Sequence, residues 1–240
     1  MPGSMRIKQT IGTLIGPRNM GRLDFIRNPG LKESWGGPFN GQKYRHRIVL
    51  EILRTLAIKA IVETGTHRGT TTAAFAASGL PVYSIENEPR HFAYSQMRLL
   101  AQRRRVHLFE GDSRACLRTF ARMPSFPRDD VFFYLDAHWG QDLPLREELD
   151  IVFAGWTRPV VMIDDFKVPD SEYGFDDYGP GKRLDLDYIA SAFDRHRVSA
   201  FFPKAAAAEE TGSRRGCIVL CGESAAAELE SGVRTLVRRK

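Results

Sequence analysis

The chain predicts an α/β fold, a doubly wound and mostly parallel sheet of about seven strands that closes on a late antiparallel hairpin. Three observations lead there. Short runs that are apolar on both faces, such as "KAIVETG" (59–65) and "VFFYLD" (131–136), alternate with segments of helical apolar spacing, and strands buried on both faces belong to parallel sheets covered by helices. Five such strands stand between residues 59 and 165. Beyond them "VSAFFP" (198–203) and "GCIVLC" (216–221) are separated by about a dozen residues, which reads as a closing hairpin.

The elements follow in order. Residues 1–41, rich in Gly, Pro and Asn, predict an irregular N-terminal arm; "MPGS" ahead of Met5 is read as a cloning remnant without structural meaning. Residues 42–240 form the predicted domain, beginning with a helix at 42–56 that puts Ile48, Ile52, Leu53 and Leu56 on one face. After the first strand come a helix at 70–79, a strand at 81–86, a helix at 89–102, a strand at 105–111 and a helix at 113–123. The fourth strand, 131–136, a helix at 144–156 and the fifth strand, 159–165, complete the alternation. A long Gly- and Asp-rich segment, "KVPDSEYGFDDYGPGKR" (167–183), and a short helix at 184–193 then precede the hairpin.

Composition narrows the function classes. A chain of 240 residues with 42% hydrophobic content can bury a sizeable core. No apolar run approaches the roughly 20 residues that span a bilayer, and the N-terminus lacks a signal-peptide core, so a cytoplasmic protein without a membrane partner is expected. Cys116, Cys217 and Cys221 are too few and too irregular for a disulfide framework or a zinc knuckle, and read as reduced. The net charge is +6, with basic runs at "QRRRVH" (102–107) and "VRRK" (237–240). Such runs attract anions. Without an aromatic stacking platform beside them they read as solvated helix ends, and no nucleic-acid partner is expected.

The first loop carries the first functional signal. "VETGTHRGTTT" (62–72) puts Glu63 at a strand end, Gly65, Thr66 and Gly69 in the turn and threonines at the helix start. Glycines there permit a tight turn and close approach of a nucleotide-like ligand. The spacing is not the G-x-G-x-x-G of a dinucleotide site. Glu86 ends the second strand, where an acid can accept both ribose hydroxyls, and Asp112 and Ser113 follow the third, where an adenine edge would lie. Three consecutive strand ends therefore line one crevice. On "ETGTHRG", Glu86, "GDS" and the strand order, residues 42–221 resemble the class I S-adenosylmethionine-dependent methyltransferases. The resemblance implies a Rossmann-like methyltransferase sheet and S-adenosyl-L-methionine as cofactor, with Glu63, Gly65, Thr66, Gly69, Glu86, Asp112 and Ser113 binding it.

The second signal is acidic. Asp136 ends the fourth strand, with His138 just beyond, and Asp164 and Asp165 end the fifth. Neighbouring strands lie about 4.8 Å apart, so if the fourth and fifth are neighbours Asp136 and at least one of Asp164 and Asp165 can approach one another and need a proton or a cation. Oxygen donors without a nearby cysteine suit Mg²⁺, Ca²⁺ or Mn²⁺. Adjacent residues on a regular strand point to opposite faces, so Asp164 and Asp165 share an ion only if the strand has already ended. The constellation resembles the metal-dependent sugar O-methyltransferases of the macrocin type and the related cephalosporin-hydroxylase and rhamnosyl-methyltransferase group. That resemblance implies Asp136, Asp164 and Asp165 as ligands of a divalent metal, Mg²⁺ in the first place, and His138 with Asp136 as catalytic residues. It also implies a small-molecule hydroxyl acceptor of sugar type and a place in natural-product biosynthesis. The histidine lies two residues after the acid, where the family places it three after.

Tyr173, Asp176, Asp177 and Tyr178, in the long segment after the fifth strand, are candidate substrate contacts. Trp35, Phe39, Asn40 and Gln42 are read as a cover over the cofactor or a plain capping arm, and Arg214 or Arg215 as reaching an anionic substrate or the loop acids. Two rival functions stay open, an NAD-linked oxidoreductase on a similar sheet and a noncatalytic cofactor-binding protein. A homo-oligomer stays open as well.

Overall fold

Residues 16–29, 36–138 and 142–239 are described by a computed structural model of the chain. Helix α1 spans 16–27. It stands where the sequence predicts irregular chain. Then follow α2 (Lys43–Thr55), β1 (Ala60–Thr64), α3 (Thr70–Ala76), β2 (Val82–Glu86), α4 (Pro89–Arg98), β3 (Val106–Glu110) and α5 (Ser113–Phe120). The chain continues through β4 (Asp129–Leu135), α6 (Leu145–Gly155), β5 (Arg158–Ile163), α7 (Ala190–His196), β6 (Ser199–Pro203), β7 (Ile218–Cys221), α8 (Glu223–Gly232) and β8 (Leu236–Arg238).

The eight strands form one sheet in the order β3-β2-β1-β4-β5-β7-β6-β8. The first five are parallel, and β7 inserts antiparallel between β5 and β6. An all-parallel dinucleotide sheet runs 3-2-1-4-5-6, so the inserted β7 separates the two types. The eighth strand, antiparallel to β6, adds to the seven expected; Arg238 on it pairs with Glu223 and Glu230.

Alternation along each strand feeds two apolar layers. In β4, Val131, Phe133 and Leu135 face a layer with Leu117, Phe120, Leu145, Leu149 and Val152 from α5 and α6. Phe132 and Tyr134 face the opposite layer with Ile48, Ile52, Phe75 and Leu229 from α2, α3 and α8. Helices on both faces bury the central strands completely, which is why "VFFYL" is apolar at consecutive positions. Because the chain winds outward in both directions from β1 and β4, a crevice opens at their carboxyl ends, the topological switch point.

Capping is local. Asp112 accepts the amide of Ala115 at 3.1 Å to start α5, and Glu88 accepts that of His91 at 2.8 Å to start α4, with Pro89 in the first turn. Helix α7 begins six residues later than the expected 184, because Asp185 accepts the amide of Tyr188 at 3.0 Å and holds that stretch in a turn. No helix among the described residues is long and apolar enough to cross a membrane.

Candidate functional site

Glu63 lies beneath the loop after β1. It is 1% exposed, and one of its oxygens accepts the hydroxyls of Thr72 and Ser84, each at 2.5 Å. Ser84 also meets the Thr66 hydroxyl at 2.5 Å. Burial pushes the Glu63 carboxyl up to about 7 against those hydrogen bonds. Glu63 and Thr66, expected as cofactor contacts, thus turn inward and brace the loop. The amides of Gly65 and Thr66 are taken by the Ile85 carbonyl at 2.9 and 3.1 Å.

Gly65 has φ +85°, and a Cβ there would lie 2.3 Å from the Asp136 carbonyl oxygen. Any side chain would therefore push β1 and β4 apart at the crevice. Glu86 sits at the end of β2 as expected; its two oxygens accept the amides of His67 at 2.6 Å and Glu88 at 2.8 Å. The Asn87 amide also points at this carboxylate, whose four lone-pair sites exceed these three donors. Burial raises this carboxyl to about 7 as well.

Asp112 is consumed locally. Besides capping α5 it binds Arg114 through contacts at 2.6 to 3.2 Å. Ser113, buried, faces Glu148 of α6, which the sequence reading missed.

The acid cluster forms at the ends of β4 and β5, with a different membership from the expected trio. Asp164 is 1% exposed and paired with the guanidinium of Arg45. It also accepts the Tyr134 hydroxyl at 2.6 Å and Asn40 Nδ2 at 3.2 Å. Its lone pairs are spent on the protein, so it does not stand ready as a metal ligand. Asp165 does: β5 has ended at Ile163, and a φ of +50° turns the carboxylate toward the same side as Asp164. Asn40 Nδ2 reaches both, at 3.2 Å each. Asp136, His138 and Asp165 each present a donor atom, all within 4.8 Å of one another.

His138 is 2% exposed, and its Nε2 makes no hydrogen bond among the described residues. That nitrogen lies 3.8 Å from Asp136 Oδ1 and 3.9 Å from Asp176 Oδ2. Burial pushes the imidazole down to about 4, so it is neutral at pH 7. Burial first, and the charge of Asp165 second, hold Asp136 well above the usual carboxylate range.

The loop after β5 closes one side. Tyr178 donates its hydroxyl between the His138 carbonyl and Asp176, at 2.5 Å to each. Arg215 bridges Asp165, at 3.2 Å, and Asp176. Asp176 and Tyr178 therefore adjoin the cluster. Asp177 accepts the Gly179 amide at 2.9 Å and lines an open groove of about 550 Å³ with Arg146, Arg183 and Tyr188. None of Asp136, His138 and Asp165 lines that groove. Tyr173 departs from its expected role: it is buried in the core, with its hydroxyl on the Ala205 carbonyl at 3.1 Å.

Asn40 and Gln42 brace the same region. Gln42 exchanges two hydrogen bonds with the Arg215 backbone, at 2.8 and 2.7 Å. Trp35 lies outside the described residues, as do Trp139 and "MPGS". Arg45 and Glu148 were missed, although both carry one signal: a charged residue in phase with a buried helical stripe. Arg45 shares its face with Ile48, Val49 and Ile52, and Glu148 shares its own with Leu145, Leu149 and Val152.

No protein-family model and no curated protein sequence matches the chain. Solved structures do. An O-methyltransferase from Bacillus cereus in complex with SAH is 15% identical, with a TM-score of 0.55 over 91% of this chain and 97% of that one. The O-methyltransferase TomG from Streptomyces achromogenes, involved in tomaymycin synthesis and in complex with SAM, is 17% identical at a TM-score of 0.54, covering 75% and 79%. CalS10, an amino pentose methyltransferase from Micromonospora echinaspora involved in calicheamicin biosynthesis, is 14% identical at 0.50, covering 76% and 93%. The chain has the fold of the class I S-adenosylmethionine-dependent methyltransferases, and at these identities the likeness is one of fold.

Proposed function

We propose that the chain moves the methyl group of S-adenosyl-L-methionine to a hydroxyl of a small molecule, sugar-type acceptors being the first class to test. The observation that carries the reading is the Asp136, His138 and Asp165 cluster at the switch-point end of a sheet in methyltransferase order. In this reading residues 42–240 are the catalytic domain. CalS10, which the fold resembles, is an amino pentose methyltransferase, and this supports the acceptor class and a role in tailoring natural products.

The donor set fits a divalent cation. His138 offers a neutral, orphaned nitrogen, and two carboxylates stand beside it. Mg²⁺ is served by the oxygens, while an imidazole extends the choice to Mn²⁺ and other first-row ions. A bound cation would lower the pKa of an acceptor hydroxyl placed on it. The protein's own part is orientation. Glu86 takes the ribose hydroxyls, Gly65 lets β1 and β4 close under the cofactor, and Tyr178 with Asp176 walls the acceptor side. Holding oxygen and methyl carbon roughly 3 Å apart in line supplies much of the acceleration. With a pKa of about 4, His138 is better suited to hold a cation than to accept a proton.

A second reading rests on Arg45 and Arg215, which already supply positive charge to Asp164, Asp165 and Asp176. The cluster then works without metal, and Asp136, with its raised pKa, receives the hydroxyl proton.

Calorimetry with S-adenosylhomocysteine, together with methyl transfer to a panel of sugars with and without chelator, tests both. Binding is expected. Chelation should cut transfer by about 100-fold or more while leaving binding intact; full transfer in excess chelator selects the second reading, and absence of binding overturns both.

A further inference from the structure

Two guanidiniums serve the acid cluster, and they are held in different ways. Arg45 is 1% exposed and locked, with Asp164 and the backbone carbonyls of Arg215 and Gly216 as its partners. The side chain of Arg215 is 26% exposed, and among the described residues its guanidinium meets carboxylates alone: Nε lies 3.2 Å from Asp165 Oδ1, and the far end takes Asp176. Its backbone, by contrast, is fixed. Gln42 binds both the amide and the carbonyl of Arg215, and the neighbouring Gly216 amide donates to the Gly174 carbonyl at 2.7 Å. Arg215 is thus a charged arm on a rigid base, with two acids in reach.

Asp165 is claimed twice. Besides pairing with Arg215 it belongs, with Asp136 and His138, to the three donors that stand within 4.8 Å of one another. The charge of Arg215 acts on the other two as well: it favours the ionised form of Asp136 and opposes protonation of His138. A positive charge fixed beside a carboxylate lowers the attraction of that site for a second cation, since the two cations repel. Asp176 stands outside the trio, so it can keep the guanidinium when Asp165 is drawn away.

We propose that Arg215 is a built-in competitor for the divalent ion: it occupies Asp165 until the ion takes that carboxylate, and then rests on Asp176 alone. The inference rests on the metal-assisted form of the proposed function. Calorimetry of the whole chain with Mn²⁺ alone tests it without any turnover. Arg215→Gln, which keeps a hydrogen-bond donor but no charge, should bind Mn²⁺ about tenfold or more tightly than the wild type, while Arg215→Lys, which keeps the charge, should stay within about threefold of it. Binding of S-adenosylhomocysteine by each variant reports an intact fold. In the wild type, saturating Mg²⁺ should shift the Nε–H resonance of Arg215, identified by its loss in Arg215→Lys, so the proposal stays testable even if the glutamine variant fails to fold. An affinity of Arg215→Gln for Mn²⁺ no tighter than that of the wild type, or a resonance that stays put while the ion binds, overturns the inference and leaves the metal reading standing. If neither chain binds Mn²⁺ yet both bind S-adenosylhomocysteine, the inference falls together with the metal and the methyltransferase reading stands. A wild type that does not bind S-adenosylhomocysteine overturns that reading, and the inference with it.

Discussion

Arg45 is held entirely by groups remote in sequence: Asp164, and the carbonyls of Arg215 and Gly216. A guanidinium cannot shed its charge, so removing it leaves Asp164 buried with only neutral donors. Arg45→Met should therefore destabilise the protein by about 3–5 kcal/mol in urea unfolding. Glu63 makes a pH-dependent contribution. Its folded pKa, about 7, lies above the ordinary value of a glutamate, so the folded state binds the proton more tightly. That stabilisation is complete below about pH 4.5 and is lost as pH rises through 7, roughly 3 kcal/mol at 1.36 per unit. Between pH 5 and pH 8 the wild type should lose stability relative to Glu63→Gln; parallel pH profiles would contradict this. At this scale the sequence revealed which acids end the strands. It did not reveal which way they point: Asp164 and Asp165 differ in role because a positive φ at Asp165 follows the end of β5, and no periodicity reports that.

Helix α1 shows why an element escapes sequence reading. Pro17 and Gly21 read as breakers, yet proline is tolerated in a first helical turn. Gly21 answers to packing instead, since a Cβ there would lie 2.0 Å from the Arg90 carbonyl oxygen of α4. The contact is fastened by Phe25 edge-on to Tyr94 at 5.4 Å and by Asp24 to Arg90 at 2.6 Å, and Arg18 ties the helix to Glu110 of β3 at 2.6 Å. Gly21→Val should lift α1 from α4, costing on the order of 1–3 kcal/mol, and hydrogen exchange should speed up in α1 while β1 and β4 stay protected. The strands with two buried faces were legible throughout. β8 was not, because three residues with one exposed valine and a basic tail look like a solvated end until β6 pairs with them.

Across the whole molecule, the crevice lies between units whose strands come from distant parts of the chain, so a ligand there should stabilise the fold as one body. S-adenosylhomocysteine at 100 times its dissociation constant should add about 2.7 kcal/mol and raise the thermal midpoint accordingly. A midpoint that does not move would speak against the crevice as the binding place. The five parallel strands were readable from the alternation of patterns, whereas their order in the sheet is not encoded in it. The insertion of β7 between β5 and β6 was only half readable: a hairpin was visible, but which of its arms meets β5 depends on pairing that no local pattern encodes.

The same arrangement has a consequence for synthesis. Arg45 precedes its last acceptor, Gly216, by 171 residues. At ~5–20 residues per second the ribosome needs roughly 10–30 s to supply it. Until Asp164 and then the Gly216 carbonyl are supplied, the inner face of α2 carries a charge that lacks its partners. Completion should thus be a late, concerted event, slow for the chain's size because its decisive contacts are long-range. Nascent chains stalled before β7 should stay protease-sensitive in α2, and chains extended past β8 should become resistant in a single step.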